Sequence, residues 1–419
     1  MRRSAFTAEP LLPGGRRRQA GVTLVELMVA IAVALILSLS ILGVLVFSAS
    51  SNKNSTSLGS LNNNIRGVLT LLTRDANSAG FMLGAAQSQC GLTLLYDSSL
   101  STQTPNVYPA WAASQAHGGG LPFSSSTTSY PPSGWNNSTQ VLLFAASPSV
   151  PDYTTTGASP NALLPGPVAT AAYGSAWKNT MTSGTLQLIN TSGMTQGDMG
   201  MLQVPMNNNQ LVCMRVPLSA VTSGTVTGTP GTRYMPTNGF SDFASLITAS
   251  SKSYGTLGVG QLQHARLLDM GQSASSMQIV EYWIDDSNGY PVLMRSEYSA
   301  LTDNLIETDA LAPGVVSLQA LFGTIPVGSA IGGTVPQYKS WGDVDPTTDQ
   351  VVSVALALVS RTLYDDSGYT APSTITVPQP ASGTNLVDSF SNYKVSTAEQ
   401  HRHFQVNTLV VSLRNSTWD

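Results

Sequence analysis

An apolar run from Val22 to Phe47, interrupted by one charge at Glu26 and preceded by Arg16-Arg17-Arg18, constrains this chain more than any other feature. As a helix rising ~1.5 Å per residue it is about 39 Å long, enough to cross a hydrocarbon core of about 30 Å. The arginines keep the segment before it in the cytoplasm, so everything after Phe47 is placed outside. Three readings compete. A removable secretory signal has Ser48-Ala49-Ser50 as a cleavage site, but its apolar region is about 7 to 15 residues and carries no acid. A plain signal anchor spans the membrane and leaves Glu26 unexplained, since a carboxylate deep in a helix costs about 2.5 kcal/mol or more without a partner. The third reading supplies that partner by a cut between Gly21 and Val22.

The cut gives Val22 a cationic amine four positions from Glu26, and residues four apart share a helix face. The carboxylate then pairs with that amine or with the amine of an adjacent subunit, and in an apolar fibre core either charge alone is heavily penalised. Gly21-Val22-Thr23-Leu24-Val25-Glu26 resembles the GFTLxE processing motif of type IV prepilins and type II secretion pseudopilins. It departs in having Val22 where Phe is commoner, and its 21-residue leader is somewhat long. The resemblance implies a prepilin peptidase that cuts after Gly21 and N-methylates Val22, with Glu26 as the assembly residue.

The chain has 419 residues, 42% of them hydrophobic, enough for one large head. Only 10% are Asp, Glu, Lys or Arg, against a usual value of roughly 25%. Five arginines stand against Glu9 in residues 1–21, so removing the leader takes the formal charge from -4 to -8. A nucleic-acid-binding head would be basic, and this one is not. Cys90 and Cys213 both lie beyond the membrane segment and read as one disulfide formed in an oxidising compartment. The other readings are a reactive thiol or half a metal site, and neither cysteine has a neighbouring His or a CxxC partner.

After Phe47 the stretch SASSNKNSTSLGS has poor helix propensity. Leu58, Leu61, Ile65, Val68 and Leu72 then repeat at spacings of three and four, one apolar helical face, with Gly80 as a stop. The expectation is one interrupted helix from about Val22 to Ala79. Beyond it the period falls towards two in 141–145, 185–189, 201–204, 211–216, 277–284, 290–298, 352–358 and the closing FQVNTLVVSLRN. Asn288-Gly289 marks a hairpin turn. Stretches 97–139 and 146–180 are rich in Ser, Thr, Pro, Gly and Asn and read as long exposed loops. The expected fold is α+β and type IV pilin-like: a long N-terminal helix, its first half in the membrane, packed on an antiparallel head. Its divisions are a removed leader at 1–21, a helix at 22–80 with its membrane part at about 22–47, and a β-rich extracytoplasmic head at 81–419.

Several head segments resemble PilW-type minor pilins, relatives of the J-type minor pseudopilins. Leu72-Thr73-Arg74-Asp75 with Ala79-Gly80-Phe81 is similar to their LxxDxRxAGF helix end, with Asn77 in place of the later Arg. Glu281-Tyr282-Trp283-Ile284 and Pro291-Val292-Leu293-Met294-Arg295 resemble their YxID…LxR hairpin, and 315–323, 341–344, 351–361 and 408–415 follow in order. The resemblance implies a minor pilin at or near the fibre tip that promotes assembly initiation, first held in the inner membrane with a periplasmic head and later in the extracellular fibre. Implied partners are other minor pilins, the major pilin, a large tip adhesin, the prepilin peptidase and the inner-membrane assembly platform. A type II secretion minor pseudopilin and a membrane-anchored adhesin-like binding module are the alternatives.

Patterns for other chemistry are weak. His401-Arg402-His403 puts two imidazoles on one strand face without a third ligand at convincing spacing. Asp343, Asp345 and Asp349 read as a calcium loop or equally as a turn. No P-loop, HExxH or GxSxG occurs, so the expectation is a non-enzymatic subunit with no cofactor and no metal.

Overall fold

The computed structural model describes residues 23–79, the short strands within 84–164 and residues 181–413 apart from 189–190, 192–193, 208–210, 250–253, 263, 270–277, 300–304, 331–332, 346–347 and 381–385. The leader, Gly21, Val22, Gly80 and Phe81 lie outside the described residues. Two compact units follow one another, residues 1–56 and 57–419.

Helix α1 (Leu24–Ser78) is continuous, which corrects the expected interruption at 48–60. A helix flanked by strong helical segments is cheap to extend, because propagation fixes one residue per hydrogen bond whereas a restart needs a new nucleus. The hydroxyl of Thr56 bonds the Asn52 carbonyl at 2.8 Å, a local satisfaction repeated at Ser38 with Ala34 (2.8 Å) and Ser40 with Ile36 (2.9 Å). The first unit is an exposed apolar helix over Leu24–Leu45, long and apolar enough to cross a membrane. In the second unit Leu61, Ile65, Val68, Leu72, Ala76 and Ala79 are buried in one core, while Leu58, expected in the same stripe, is exposed. Burial of each Leu, Ile or Val among them stabilises by about 2 kcal/mol before entropy is charged.

The described strands of the head form four sheets. A nine-stranded sheet contains β1 (Gly84–Ala85), β2 (Ser88–Leu95), β3 (Asn106–Tyr108), β6 (Leu163–Leu164), β7 (Thr185–Gln187), β8 (Met199–Pro205), β9 (Leu211–Thr222), β10 (Thr225–Gly228) and β11 (Arg266–Asp269). A five-stranded sheet runs β14 (Leu305–Pro313), β13 (Val292–Ser299), β12 (Gln278–Asp285), β5 (Val141–Ala146), β4 (Trp111–Ser114). A four-stranded sheet runs β16 (Gln337–Lys339), β15 (Val315–Pro326), β17 (Asp349–Arg361), β20 (Phe404–Ser412), and β18 (Thr374–Ile375) pairs β19 (Tyr393–Lys394). Among the described strands pairing is antiparallel except for β2 beside β9. Parts of the two stretches read as loops are therefore strands: β3 pairs β2, β4 pairs β5 and β6 pairs β11.

The expected hairpin is present, with β12 and β13 in register from Gln278↔Ser299 to Asp285↔Val292 and Gly289 at φ 78° in its turn. β14 runs into β15 through Gly314 at φ 88°, whose N–H donates to the Pro291 carbonyl (2.7 Å) and whose carbonyl accepts from Arg361 N–H (2.8 Å). The glycine lets the chain leave one sheet for the next.

Three cores result. The first lies between α1 and the strands β12 to β15, β17 and β20. A second joins one face of β8 and β9 to helix α2 (Phe240–Ala249) through Leu202, Val212, Met214, Phe240, Phe243 and Ile247. The third is unexpected: Ala355, Ala357 and Val359 on the far face of β17 are covered by Val377 and Phe390. Both faces of β17 are buried, and its small residues leave room for that cover. Gln379 holds it in place, accepting from Phe390 N–H (2.7 Å) and donating to the Phe390 carbonyl (3.0 Å).

Candidate functional site

Of the residues singled out at the N-terminus, the structure describes Thr23 and Glu26. Thr23 caps α1: its carbonyl accepts from Leu27 N–H (3.1 Å) and its Oγ1 accepts from Glu26 N–H (3.3 Å). Thr23-Leu24-Val25-Glu26 thus fits the Ser/Thr-x-x-Glu start of a helix, a pattern visible in the sequence. Glu26 lies in the first turn, where the helix dipole favours an acid, and it is exposed.

The head holds a buried ionic junction where α1 meets the β12–β13 hairpin. Asp75 is 1% exposed near the C-terminal end of α1, where a carboxylate is disfavoured by the helix dipole unless cations answer it. Arg295 Nε donates to Asp75 Oδ2 at 2.8 Å, Tyr282 Oη donates to the same oxygen at 2.6 Å, and Arg74 Nε reaches Oδ1 at 3.0 Å. Arg295 also pairs with Glu297. Beside them Tyr298 Oη donates to the fully buried Glu281 (3.2 Å), and Trp283 Nε1 donates to Ser296 Oγ (3.1 Å).

Burial pushes the Tyr282 hydroxyl well above its ordinary pKa, and the Asp75 carboxylate pushes it further, so it remains a donor. Burial works against charge on Arg295, but Asp75 outweighs it and the guanidinium pKa is raised. The two motifs that resembled a family, LxxD at the helix end and YxID…LxR on the hairpin, are therefore one structural unit. Asp75 is separated from its partners by 207 and 220 residues, which no local pattern reveals.

Cys213 is fully buried on β9 and is disulfide-bonded. Cys90 stands on β2 opposite Leu211, two residues before Cys213 on β9. The histidines are drawn to separate partners. His401 Nδ1 donates to the Tyr369 carbonyl (2.7 Å), while His403 Nε2 meets Asp366 (3.0 Å) and its ring stacks on Tyr369 at 3.9 Å. Asp349 binds Lys339 Nζ (2.8 Å) and accepts from Asp345 N–H (2.9 Å), and Asp343 accepts from Ser340 Oγ (2.7 Å), so these acids close a turn. Among the described residues no group of three His, Cys, Asp or Glu side chains stands ready for a metal.

A capped helix with an apolar span of membrane length continues into a second half that packs on antiparallel sheet. Residues 16–47 match the prokaryotic N-terminal methylation motif, and residues 281–415 match the family described as type IV pilus-assembly protein W. The chain is similar to the solved structure of a type IV-like pilin from Thermus thermophilus, with 14% identity and a TM-score of 0.21 over 34% of this chain and 68% of that one. No curated protein matches. Over these two segments the chain is similar to the PilW family of type IV pilus-assembly proteins and to proteins with an N-terminal methylation motif.

Proposed function

We propose that the chain is a minor pilin of a type IV pilus, incorporated at or near the fibre tip, where it promotes initiation of assembly. It is made as a prepilin whose leader, residues 1–21, is removed by cleavage after Gly21; Val22 becomes the N-methylated first residue. The helix over 22–80, membrane-embedded at about 22–47, carries the head at 81–419. One observation carries the reading: Glu26 is the sole ionisable residue of the exposed apolar span Leu24–Leu45, in a segment that matches the methylation motif. Such a charge persists in an apolar setting only when paired, and the amine created at Val22 is the partner within reach. Cys90 pairs with Cys213, supported by the disulfide state of Cys213 in a chain with two cysteines. The partners are other minor pilins, the major pilin, a large tip adhesin, the prepilin peptidase and the assembly platform.

Glu26→Leu tests this. The variant inserts and is processed as the native chain is, yet stays in the inner membrane and lowers the number of surface pili. Processed Glu26→Leu that supports wild-type pilus number contradicts the assembly role. Normal piliation with a defect in protein export from a strain lacking the chain favours a secretion pseudopilin instead.

A further inference from the structure

Two Asn-Gly pairs stand among the described residues, Asn238-Gly239 and Asn288-Gly289. Such a pair can rearrange without an enzyme. The glycine amide nitrogen, once deprotonated, attacks the asparagine side-chain carbonyl carbon; a C–N bond closes a succinimide ring and ammonia leaves. Water then opens the ring to aspartate or isoaspartate, so one water enters, one ammonia departs and nothing is oxidised or reduced. Glycine imposes no side chain on the approach, and the surrounding fold decides whether the carboxamide can turn to meet the nitrogen.

At Asn238 the fold ties down both the carboxamide and the backbone. Its Nδ2 donates to Asp242 Oδ1 and its backbone N–H to Asp242 Oδ2, both at 3.0 Å, at the entry to α2. Gly239 is pressed on backbone: a Cβ there would lie 2.9 Å from the Met181 carbonyl oxygen and 3.2 Å from that of Thr182. Asn288 differs on each count. It sits in the exposed turn between β12 and β13, no described hydrogen bond holds its carboxamide, and nothing lies within 4 Å of the Cβ position of Gly289. The glycine N–H does not separate the two, since Gly289 donates to the Asp286 carbonyl (3.1 Å) and Gly239 to that of Pro236 (3.0 Å).

We infer that Asn288 is a site of spontaneous deamidation on the folded head and that Asn238 is protected from the same reaction. Conversion places a third carboxylate beside Asp285 and Asp286, at the tip of the hairpin that carries Tyr282 and Arg295. The full-length protein in detergent, held at mildly alkaline pH and digested, is mapped by mass spectrometry for aspartate and isoaspartate at each site. The folded protein converts at Asn288 with Asn238 still an amide, the selectivity disappears in urea, and Asn288→Gln loses the product peptide. Conversion of Asn238 as fast as Asn288 in the folded protein, or persistence of Asn288 through the incubation, overturns the inference.

Discussion

The carboxylate of Asp75, at the end of the long helix, lies 2.8 Å from the Nε of Arg295 on the second strand of the β12–β13 hairpin, and both side chains are buried. Charge removed from water on both sides is tolerable because each oxygen of Asp75 is engaged: Oδ2 by Arg295 and Tyr282, Oδ1 by Arg74. Breaking one side strands the other. Asp75→Ala is therefore expected to destabilise the head by about 3–5 kcal/mol in urea titration of the detergent-solubilised protein. The double change Asp75→Leu with Arg295→Met recovers part of that loss, because neither buried charge of the pair remains, while the half-buried Glu297 gives up its contact with Arg295. Additive losses would show that the pair is not coupled.

Gly314 is the corner between two sheets. A Cβ there would fall on the Arg361 carbonyl oxygen, and φ of 88° strains any L side chain. Gly314→Ala is expected to cost about 1–3 kcal/mol or more, while Gly289→Ala, with open space around it, costs less. Thermal melts of the two variants give the order.

Much of the hairpin and of β17 and β20 was legible, because alternating apolar residues and an Asn-Gly turn are local patterns. The cover on the far face of β17 was not. Its contacts come from Val377 and Phe390 in a segment with little regular structure, fixed by side-chain amides such as Gln379 and by Gln319, whose Nε2 donates to the Ser391 carbonyl at 2.9 Å. Helix α2 escaped because three apolar positions, Phe240, Phe243 and Ile247, are too few to establish a period. The break expected after Phe47 does not form, because helix cooperativity carries weak formers across. At the N-terminus Glu26 was found by its charge in an apolar run, whereas the Asp75 junction needs the fold to bring distant residues together.

The cover is anchored by an ionised group whose titration gives a pH signature. Burial alone would raise the Glu399 pKa, but hydrogen bonds from Ser396 (2.7 and 3.1 Å) and Tyr393 (2.9 Å) and the Arg361 guanidinium at 3.0 Å outweigh it and hold it below its ordinary 4.5. A depressed folded-state pKa contributes stability that is complete above 4.5 and is lost as pH falls through the folded value. Glu399→Gln should thus be less stable than the native chain at pH 7, and the gap should close on acidification below 4.5. A gap independent of pH would assign the loss to packing.

The proposed Cys90–Cys213 bond closes a long loop, and removing it with Cys213→Ala is expected to cost about 5 kcal/mol by chain entropy. Peptide mapping of periplasmically folded protein without reductant should recover the two cysteines in one linked species. Free thiols at both positions would contradict the pairing.

The account rests on this chain being processed after Gly21 and carried into a fibre, and one measurement addresses both. Pili sheared from cells are purified, and the N-terminal peptide of this chain is sought in them by mass spectrometry. The account predicts a peptide that begins at N-methylated Val22, present in amounts far below the major subunit. A chain that begins near Ser51, retains its leader, or is missing from the fibres of a piliated strain would contradict it.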